Sequence, residues 1–393
     1  MKARATIQCR AKLSKGGLRR LDWVRSVLNR LYNAALEERK TAWESEQRGV
    51  TLYDQMKGLT SQRKDDPEGL GSVAVKAERG MLIRLDRAFK AFFRRCKAGE
   101  KPGYPRFRPI ARMETIDVVD PKATMVKKRA RGYAIRPKGF PTIRIFPSRP
   151  LPHGCPLKAL RIVRKPNRVY VDLTYEVEKQ PLPKCGSSVG IDLGVRKRAV
   201  LSSGERIERN RRDWGEIRKQ QRKVSRCQRG SNRRRKRVRR LATIRFREGV
   251  RSRNACHRAT TRIVREHGLI AVEKLNVQGM TKKGPNKRGL NREILTQSWG
   301  LLRNQLQYKA EWAGREFVEV NAEYTSQDCH RCGARNQPGR SEMYRCVSCG
   351  LKMDRDHNAA INILRAGVSA LGAGTWADGP SVAPELCIGR AGG

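Results

Sequence analysis

The chain has 393 residues, of which 38% are hydrophobic, and carries a formal net charge of +50 at pH 7. That length allows two or three domains with cores of their own, while no fold needs so large an excess of positive charge. The charge therefore predicts a polyanionic partner, and nucleic acid is the usual one. An anionic membrane fits less well, because the sequence has neither an apolar run long enough to cross a bilayer nor a leader with an apolar core.

The pattern in the first half of the chain indicates a β-rich domain with a helical insertion. Residues 1–22 begin with an alternating segment that predicts a strand, and residues 23–98 carry apolar side chains at helical spacing. Residues 99–184 return to strand-like runs, of which VYVDLTYEVEK alternates most clearly.

A second domain is predicted to follow a linker at residues 180–187. It begins with the apolar segment SSVGIDLG, a turn and a second strand. About two in five residues between 205 and 255 are Lys or Arg, with few helix breakers, so we predict long basic helices there. Further predictions are a buried strand at 268–277, a helix at 358–367 and a flexible tail at 368–393, rich in Gly, Ala, Pro and Ser.

Four of the eleven cysteines form two CxxC pairs, Cys329 with Cys332 and Cys346 with Cys349. Two such pairs supply the thiolates of a tetrahedral zinc site, and four protein ligands leave no open position for catalysis. The spacing therefore predicts a structural Zn²⁺ in a zinc ribbon, with an iron–sulfur site or a redox pair as the alternatives. His330 lies between two better ligands and is predicted to be a solvated loop residue.

The other seven cysteines are scattered and odd in number, which is a poor disulfide framework and favours a reducing cytoplasm. We interpret them as small, buried apolar residues. They are Cys9, Cys96, Cys155, Cys185, Cys227, Cys256 and Cys387.

Three acidic residues lie at positions where an isolated carboxylate needs an explanation. Asp192 lies in the apolar segment VGIDLG and Glu273 in LIAVEKLNV, where burial without a partner is unfavourable. Asp356 precedes the predicted C-terminal helix, two residues after Asp354. Taken singly, each has an ordinary interpretation: a turn cap for Asp192, a strand-edge position for Glu273 and a helix N-cap for Asp356. Taken together, their hard oxygen atoms suit Mg²⁺ or Mn²⁺.

The order of these motifs is similar to that of RNase H-like nucleases, and the sequence closely resembles one family. IDLG, AVEKLNV, two CxxCG pairs and DRDHNAAINIL occur in the order found in the RuvC-like domain of the TnpB family. Its members are transposon-encoded RNA-guided DNA endonucleases, related to compact type V CRISPR effectors. LDRAFKAFFRRCKAGEKPGYPRFRP also resembles the helix-to-strand junction of that family. The resemblance extends over most of residues 1–367 and is most specific between 188 and 365.

The resemblance implies an α/β multidomain fold, with an N-terminal β-barrel wedge and a RuvC-like (RNase H-like) nuclease domain. We expect the wedge β-barrel at 1–22 and 99–184, a helical recognition insertion at 23–98, the nuclease domain at 185–325 and 351–367, an inserted zinc ribbon at 326–350 and the flexible tail at 368–393.

The resemblance also implies the chemistry. Asp192, Glu273 and Asp356 match the carboxylate triad of the family, and the second acid of DRD is the matching ligand, so Asp354 is not predicted to bind metal. The triad would hold two Mg²⁺ (or Mn²⁺) ions for phosphodiester hydrolysis, at a target chosen by guide RNA pairing and a short adjacent motif. The expected partners are guide RNA and double-stranded target DNA, without a membrane, in a prokaryotic cytoplasm at the nucleoid. The alternatives are a type V CRISPR effector with the same chemistry, a guided DNA-binding repressor and a strand-joining transposase.

Phosphate contacts are predicted for basic side chains in two regions. In the long basic segment they are Arg233, Arg234, Arg235, Lys236, Arg237, Arg239 and Arg240. In the helical insertion they are Lys76 and Arg79, which we assign to reading of the short motif, with a solvated helix face as the alternative.

Overall fold

The computed structural model describes residues 2–372, apart from residues 166–167, 209–213, 283, 285–286, 322 and 338–340. The chain divides into two units, Met1–Glu178 and Lys179–Gly393. The predicted flexible tail at 368–393 lies outside the described residues except for its first five, of which 368–370 complete the last helix. Within the described part of the chain, no helix is long and apolar enough to cross a membrane.

The first unit combines strands with three α-helices. Its elements are β1 (Lys2–Lys12), α1 (Lys15–Glu46), α2 (Leu52–Asp65), α3 (Val75–Lys97), β2 (Thr115–Val118), β3 (Val126–Lys128), β4 (Tyr133–Ile135), β5 (Ile143–Pro147), β6 (Leu157–Lys165) and β7 (Arg168–Glu178). The helices and the sheet share one apolar core, which includes Leu28 of α1, Leu85 of α3 and Leu173 of β7. The mixed architecture expected from the alternating and helical patterns is therefore present.

The seven strands of this unit form one antiparallel sheet in the order β2–β6–β7–β1–β5–β4–β3. The structure differs from the predicted barrel, since across the described residues β2 and β3 are the two edges and do not pair with each other. These edge strands have only four and three residues, and strands so short offer few hydrogen bonds for closure.

The helical region of the first unit begins at Lys15, eight residues before the expected boundary at residue 23. Ser14 explains the earlier start, because its Oγ accepts a hydrogen bond from the backbone N–H of Gly17 at 3.0 Å. A serine in that position satisfies one of the free N–H groups of the first turn and so fixes where the helix begins.

The second unit has a mixed sheet with helices on both faces. Its elements are β8 (Ser188–Asp192), β9 (Ala199–Leu201), β10 (Arg206–Ile207), α4 (Trp214–Ser225), α5 (Asn232–Glu266), β11 (Leu269–Glu273), α6 (Val277–Met280), α7 (Arg288–Gln297), α8 (Trp299–Ala313), β12 (Glu316–Val320), β13 (Met343–Arg345), β14 (Lys352–Asp354) and α9 (Arg355–Ala370).

The main sheet of this unit has the order β10–β9–β8–β11–β12. Strands β8, β11 and β12 run parallel, β9 pairs antiparallel with β8, and β10 pairs antiparallel with β9. Strand β11 is buried along its whole length. Ile270 and Val272 pack into the cluster formed with α5 and α8, whereas Ala271 packs with Ile363 of α9. Because neighbouring residues of a strand face opposite ways, α9 covers the face of the sheet that α5 and α8 leave free.

Helix α9 lies unusually close to β8. A Cβ atom on Gly190 would be 2.1 Å from the carbonyl oxygen of Ala360, so only glycine permits this approach. The close packing brings the first turn of α9 to the ends of the central strands.

The cysteines outside the two CxxC pairs only partly follow the interpretation as buried apolar residues. Cys9 and Cys256 are buried and free, as predicted, but Cys96 is exposed, so the interpretation is wrong for that residue. Three others are free and only partly buried: Cys155, Cys185 and Cys227. Cys387 lies outside the described residues.

Candidate functional site

Two of the predicted acids meet at one edge of the second sheet. Asp192 is the last residue of β8 and Glu273 the last of β11, and these strands are parallel neighbours with Ile191 opposite Val272. The two carboxyl groups influence each other's pKa, and the backbone N–H of Leu193 donates to Oε1 of Glu273 at 2.8 Å. The parallel pairing therefore places the two acids side by side.

The third predicted acid, Asp356, lies in the first turn of α9. We call Asp192, Glu273 and Asp356 the acidic cluster. The charge of Asp356 acts on both Asp192 and Glu273. Asp356 is not the N-cap of the helix, because Asp354 holds that position and accepts hydrogen bonds from the backbone N–H groups of Asp356 at 3.0 Å and His357 at 3.1 Å. The structure thus places Asp192 and Glu273 at the ends of neighbouring strands, with Asp356 near enough to act electrostatically on both, and gives the capping role to Asp354.

The cluster has the electrostatics of a cation site. Burial, followed by the charges of Glu273 and Asp356, raises the pKa of Asp192 well above its usual range. Burial also raises the pKa of Glu273 to about 7. Neighbouring carboxylates do not all ionise in a buried position unless a cation compensates them. Three hard oxygen donors in such a place fit Mg²⁺ or Mn²⁺ better than a soft metal.

A half-buried lysine connects two of the elements that carry these acids. Lys197, in the loop after β8, places Nζ 2.6 Å from Oδ2 of Asp354 and 3.8 Å from Oδ2 of Asp356. Arg206 of β10 lies 2.9 Å from the same oxygen of Asp354. Burial disfavours the ionised form of Asp354, but the hydrogen bonds from Lys197 and from the N–H of His357, together with the charges of Lys197 and Arg206, outweigh it and lower the pKa of this carboxyl. Sequence reasoning missed this network, since no local pattern pairs residues that lie 157 positions apart.

A cleft of ≈ 300 Å³ opens beside Glu273. Its walls include Glu273, Leu193 and Asn276 on one side and Trp299 and Arg303 from α8. The indole N–H of Trp299 donates to the carbonyl oxygen of Gly194 at 3.3 Å, which ties α8 to the loop after β8. A small polar group therefore has room next to Glu273.

The four predicted cysteine ligands form a second site. Their sulfur atoms all lie within 4.8 Å of one another, with 3.7 Å between Cys329 and Cys349 and 3.5 Å between Cys332 and Cys346. Tetrahedral zinc with Zn–S bonds of about 2.3 Å requires sulfurs about 3.8 Å apart. The cluster therefore has the composition and the size of a four-thiolate zinc site.

The backbone of each CxxC turn supports thiolate ligands. Gly333 and Gly350 have φ values of 75° and 70°, in the left-handed region that glycine adopts readily. The backbone N–H groups of Cys349 and Ser348 lower the pKa of Cys346 to about 6. Asn336, which sequence reasoning missed, donates to the Tyr344 hydroxyl at 2.7 Å and holds the two turns together by accepting from the N–H of Val347 at 2.9 Å.

Two asparagines attach the first cysteine turn to α9. Asn358 is fully buried; its Oδ1 accepts from the N–H of His330 at 3.0 Å and its Nδ2 donates to the carbonyl of Asp328 at 2.8 Å. Asn362, one helical turn later, donates to the carbonyls of Asp328 at 2.7 Å and Thr325 at 2.9 Å. The prediction for His330 as a solvated loop residue is wrong, because it is half-buried and its Nδ1 lies 3.1 Å from Oδ1 of Asn358.

The ribbon also joins α9 through the chain itself. Strands β13 and β14 form its hairpin, in which Met343 pairs with Asp354, the last residue of β14 and the N-cap of α9. The hairpin thus extends past the expected end of the ribbon at residue 350. One residue belongs both to the ribbon hairpin and to the start of the helix that carries Asp356.

The basic residues proposed as phosphate contacts lie on helices. The seven side chains between Arg233 and Arg240 occupy the first turns of α5, mostly exposed, and no acidic residue in the described ranges forms a salt bridge with any of them. Arg79 on α3 is exposed, whereas Lys76 is half-buried and its ammonium donates to the carbonyl of Asp120. Lys76 therefore also holds the segment after β2 against its own helix.

The sequence of this chain is similar to those of known proteins. A family model described as "Probable transposase" matches residues 172–284, and one described as "Cas12f1-like, TNB domain" matches residues 299–363. A protein of Streptomyces pristinaespiralis named as an RNA-guided DNA endonuclease is 33% identical over 352 residues, which cover 88% of this chain and 84% of that protein. InsQ of Escherichia coli (strain K12), named likewise, is 30% identical over 310 residues, covering 75% of this chain and 74% of InsQ.

A solved structure shows a similar fold. The cryo-EM structure of a Cas12f1–sgRNA–target DNA complex contains a chain that matches with a TM-score of 0.59 at 15% identity, covering 87% of this chain and 81% of that one. The chain is therefore a mixed α/β protein whose fold is similar to that of the Cas12f1 chain, with a four-cysteine cluster in its second unit. The sequence identity to the named relatives places it more narrowly: the chain belongs to the TnpB family of RNA-guided DNA endonucleases.

Proposed function

We propose that this protein is an RNA-guided DNA endonuclease that hydrolyses phosphodiester bonds at a RuvC-like site formed by Asp192, Glu273 and Asp356. The observation that carries the proposal is that Asp192 and Glu273 end neighbouring parallel strands, and that Asp356 in the first turn of α9 acts electrostatically on both. The order of a strand acid, a hairpin, a second strand acid and a helix-borne acid supports an RNase H-like assignment. The names of the relatives support the substrate and the guide.

The three acids are the ligands of two Mg²⁺ (or Mn²⁺) ions in this proposal. When bound, the ions activate water and stabilise the leaving 3′ oxygen of the cleaved strand. Asp192 and Glu273 hold their positions because each ends a buried strand, and the N–H of Leu193 orients one oxygen of Glu273. Lys197 and Asp354 hold the first turn of α9, and with it Asp356. The chain thus supplies a rigid frame for in-line displacement.

The four cysteines hold a structural Zn²⁺ in this proposal. Four thiolate ligands leave no position for water or substrate, so the zinc stabilises the ribbon and takes no part in hydrolysis. The ribbon in turn supports α9 through Asn358 and Asn362.

Guide RNA and target DNA would bind through the large positive charge of the chain. The basic start of α5 offers several side chains without acidic partners in the described ranges, as phosphate contacts require. Such contacts set affinity and register, while base pairing with the guide selects the target. Arg79 and Lys76 stay our proposal for contacts near the short adjacent motif.

The test is Asp192→Ala in full-length protein purified with its copurifying RNA. We expect this variant to lose Mg²⁺-dependent cleavage of a matching DNA and to retain binding of RNA and target. Glu316→Ala is the matched control, since it removes an exposed carboxylate at the opposite end of the same sheet and should cut normally. If Asp192→Ala cut DNA as fast as the unmodified protein, the assignment of the catalytic site would be wrong. Joined products with transposon-end DNA, in place of hydrolysed ones, would favour the strand-joining transposase.

A further inference from the structure

Three large aromatic side chains are exposed within one short stretch of the chain, at the end of α3 and just after it, in the first unit. Phe93 is 56% exposed, Tyr104 44% and Phe107 50%. Phe93 lies in the last turns of α3, and the other two lie in the irregular segment that follows it, residues 98–109. We call these three residues the aromatic patch. The acidic cluster and the ribbon described above belong to the second unit. They give no reason for the exposure of the aromatic patch in the first unit.

The patch rests on a fixed base. The ring of Tyr104 packs edge-on against Phe89, with centroids 5.6 Å apart, and against Phe92, with centroids 5.3 Å apart. The centroid of Phe93 lies 5.3 Å from that of Phe92. Phe89 itself is buried in the core of the unit. The rings of Tyr104 and Phe93 are therefore held in place, so a ligand would meet a largely preformed surface there.

Two asparagines of α1 fix the segment that carries Phe107. The amide groups of Asn33 and Asn29 each donate to the carbonyl oxygen of Arg108 at 3.1 Å, and Oδ1 of Asn33 accepts from the N–H of Arg108 at 2.9 Å. A segment without regular secondary structure is thereby pinned by its backbone directly beside Phe107. Exposed apolar groups on so well anchored a segment indicate a binding surface.

Positive charge surrounds the patch. Residues 94–108 contain six Lys or Arg side chains and a single acidic one, Glu100. Throughout the described ranges, no carboxylate forms a salt bridge with five of these cations, which are Arg94, Arg95, Lys97, Lys101 and Arg106. A second copy of this chain would bring the same cations against one another. Single-stranded nucleic acid instead offers both complements, because its bases stack on aromatic rings and its phosphates pair with cations.

We propose that Phe93, Tyr104 and Phe107 form a stacking surface for unpaired nucleobases, with the neighbouring Lys and Arg side chains binding the flanking phosphates. The proposal rests on the proposed function in one respect, since a guided nuclease exposes unpaired RNA and displaced DNA. It requires no cutting and no particular sequence, because every base has a face that can stack.

Photocrosslinking tests the contact directly. Full-length protein is irradiated with RNA and DNA oligonucleotides that carry 5-iodouracil, which couples to aromatic rings stacked on it, and the modified peptides are identified by mass spectrometry. We expect crosslinks at Phe93, Tyr104 or Phe107, and the RNA and DNA arms show which strand is preferred. Crosslinks confined to peptides outside residues 89–108 would overturn the proposal.

Binding by variants separates stacking from charge. Phe107→Ala should weaken binding of a single-stranded oligonucleotide about 5-fold to 150-fold, and Phe107→Trp should restore it. Tyr53→Ala is the matched control, since Tyr53 is 75% exposed on α2 of the same unit, and its binding should equal that of the parent protein. Arg94→Gln should lower the dependence of log affinity on log salt concentration by about 0.7, whereas Phe107→Ala should leave that slope unchanged.

These readouts distinguish the two proposals. If the unmodified protein showed no guided cleavage, the proposed nuclease function would be contradicted, while the crosslinks would still test the stacking surface. Equal binding by Phe107→Ala and Tyr53→Ala would overturn the stacking surface even if guided cleavage is normal. So would an unmodified protein that sediments as a dimer in low salt and becomes monomeric with Phe107→Ala, because the patch would then be a protein interface.

Discussion

Lys197 places its ammonium nitrogen 2.6 Å from Oδ2 of Asp354, and this contact joins the loop after β8 to the start of α9. Asp192 lies five positions before Lys197, and Asp356 two positions after Asp354. The pair therefore bridges the chain segments that carry two of the three clustered acids. Asp354 acts as a positioning residue, because its other oxygen caps the helix whose first turn holds Asp356.

Breaking this bridge should loosen the cation site. Within the described residues, Lys197→Met leaves Asp354 with Arg206 as its one ionic partner, so the first turn of α9 is held less firmly. We expect divalent cation affinity to fall about 10-fold to 100-fold, as is usual when a group that orients a ligand is lost. Titration of Mn²⁺ followed by its paramagnetic signal measures this without cleavage. Lys352→Met, which removes an exposed lysine of β14, is the control, and equal affinities for the two variants would contradict the positioning role.

Asn358 should couple the ribbon to the acidic cluster. Asn358→Ala removes the acceptor for the N–H of His330 and the donor to the carbonyl of Asp328, which costs about 1–3 kcal/mol of stability for each polar group left unsatisfied in a buried place. We expect hydrogen exchange at the start of α9 to accelerate and cleavage to slow, while one zinc per chain is retained. Asn304→Ala, at an exposed position of α8, should change none of these. Normal cleavage by Asn358→Ala would show that the ribbon does not position Asp356.

The four-cysteine site should bind one zinc per chain. Replacing Cys346 and Cys349 together by serine removes two of the four thiolates, so we expect zinc to be lost, the ribbon to unfold and activity to weaken. Elemental analysis measures the metal, and Cys96→Ser, at an exposed cysteine outside the cluster, should keep it. Much less than one equivalent of zinc in the unmodified protein would contradict this prediction.

The acidic cluster should make the folded state sensitive to Mg²⁺. Burial and like charges destabilise ionised Asp192, so Asp192→Asn should melt at a higher temperature than the unmodified protein in the presence of a chelator. Saturating Mg²⁺ should raise the melting temperature of the unmodified protein by about 2–4 °C for each kcal/mol of binding free energy, with little effect on the variant. Differential scanning calorimetry measures the melting temperatures of the unmodified protein and of Asp192→Asn with and without Mg²⁺. If Mg²⁺ shifted both equally, Asp192 would not be a ligand of the cation.

The parts of the site that could be predicted follow from local rules. An acid inside an apolar segment, as in VGIDLG, is conspicuous because a buried charge needs compensation. Two CxxC pairs are equally conspicuous because metal geometry limits their spacing. The strands and helices around them follow from periodicity, and each of these signals lies within a few consecutive residues.

The parts that were missed depend on distant contacts. Lys197 lies in a run of basic residues, and nothing local distinguishes it from Arg196, which is exposed on the surface. Asn358 and Asn362 look like ordinary polar positions of a helix until the ribbon folds against them. The early start of α1 depends on one hydroxyl, that of Ser14, and the open sheet depends on the shortness of β2 and β3. For Asn358 and Asn362, the one available signal was their spacing of four residues, which puts both side chains on one face of α9.

The central claim is that the chain cuts DNA where a bound RNA directs it, with Asp192, Glu273 and Asp356 as the cation ligands. The most direct measurement is to sequence the copurifying RNA, change only its target-pairing segment and map the cuts in DNA substrates that contain the old and the new target. We predict that cleavage moves to the new target, requires Mg²⁺ and is absent with Asp192→Ala. Cleavage that stays at the old position, or that proceeds without RNA, would contradict the account.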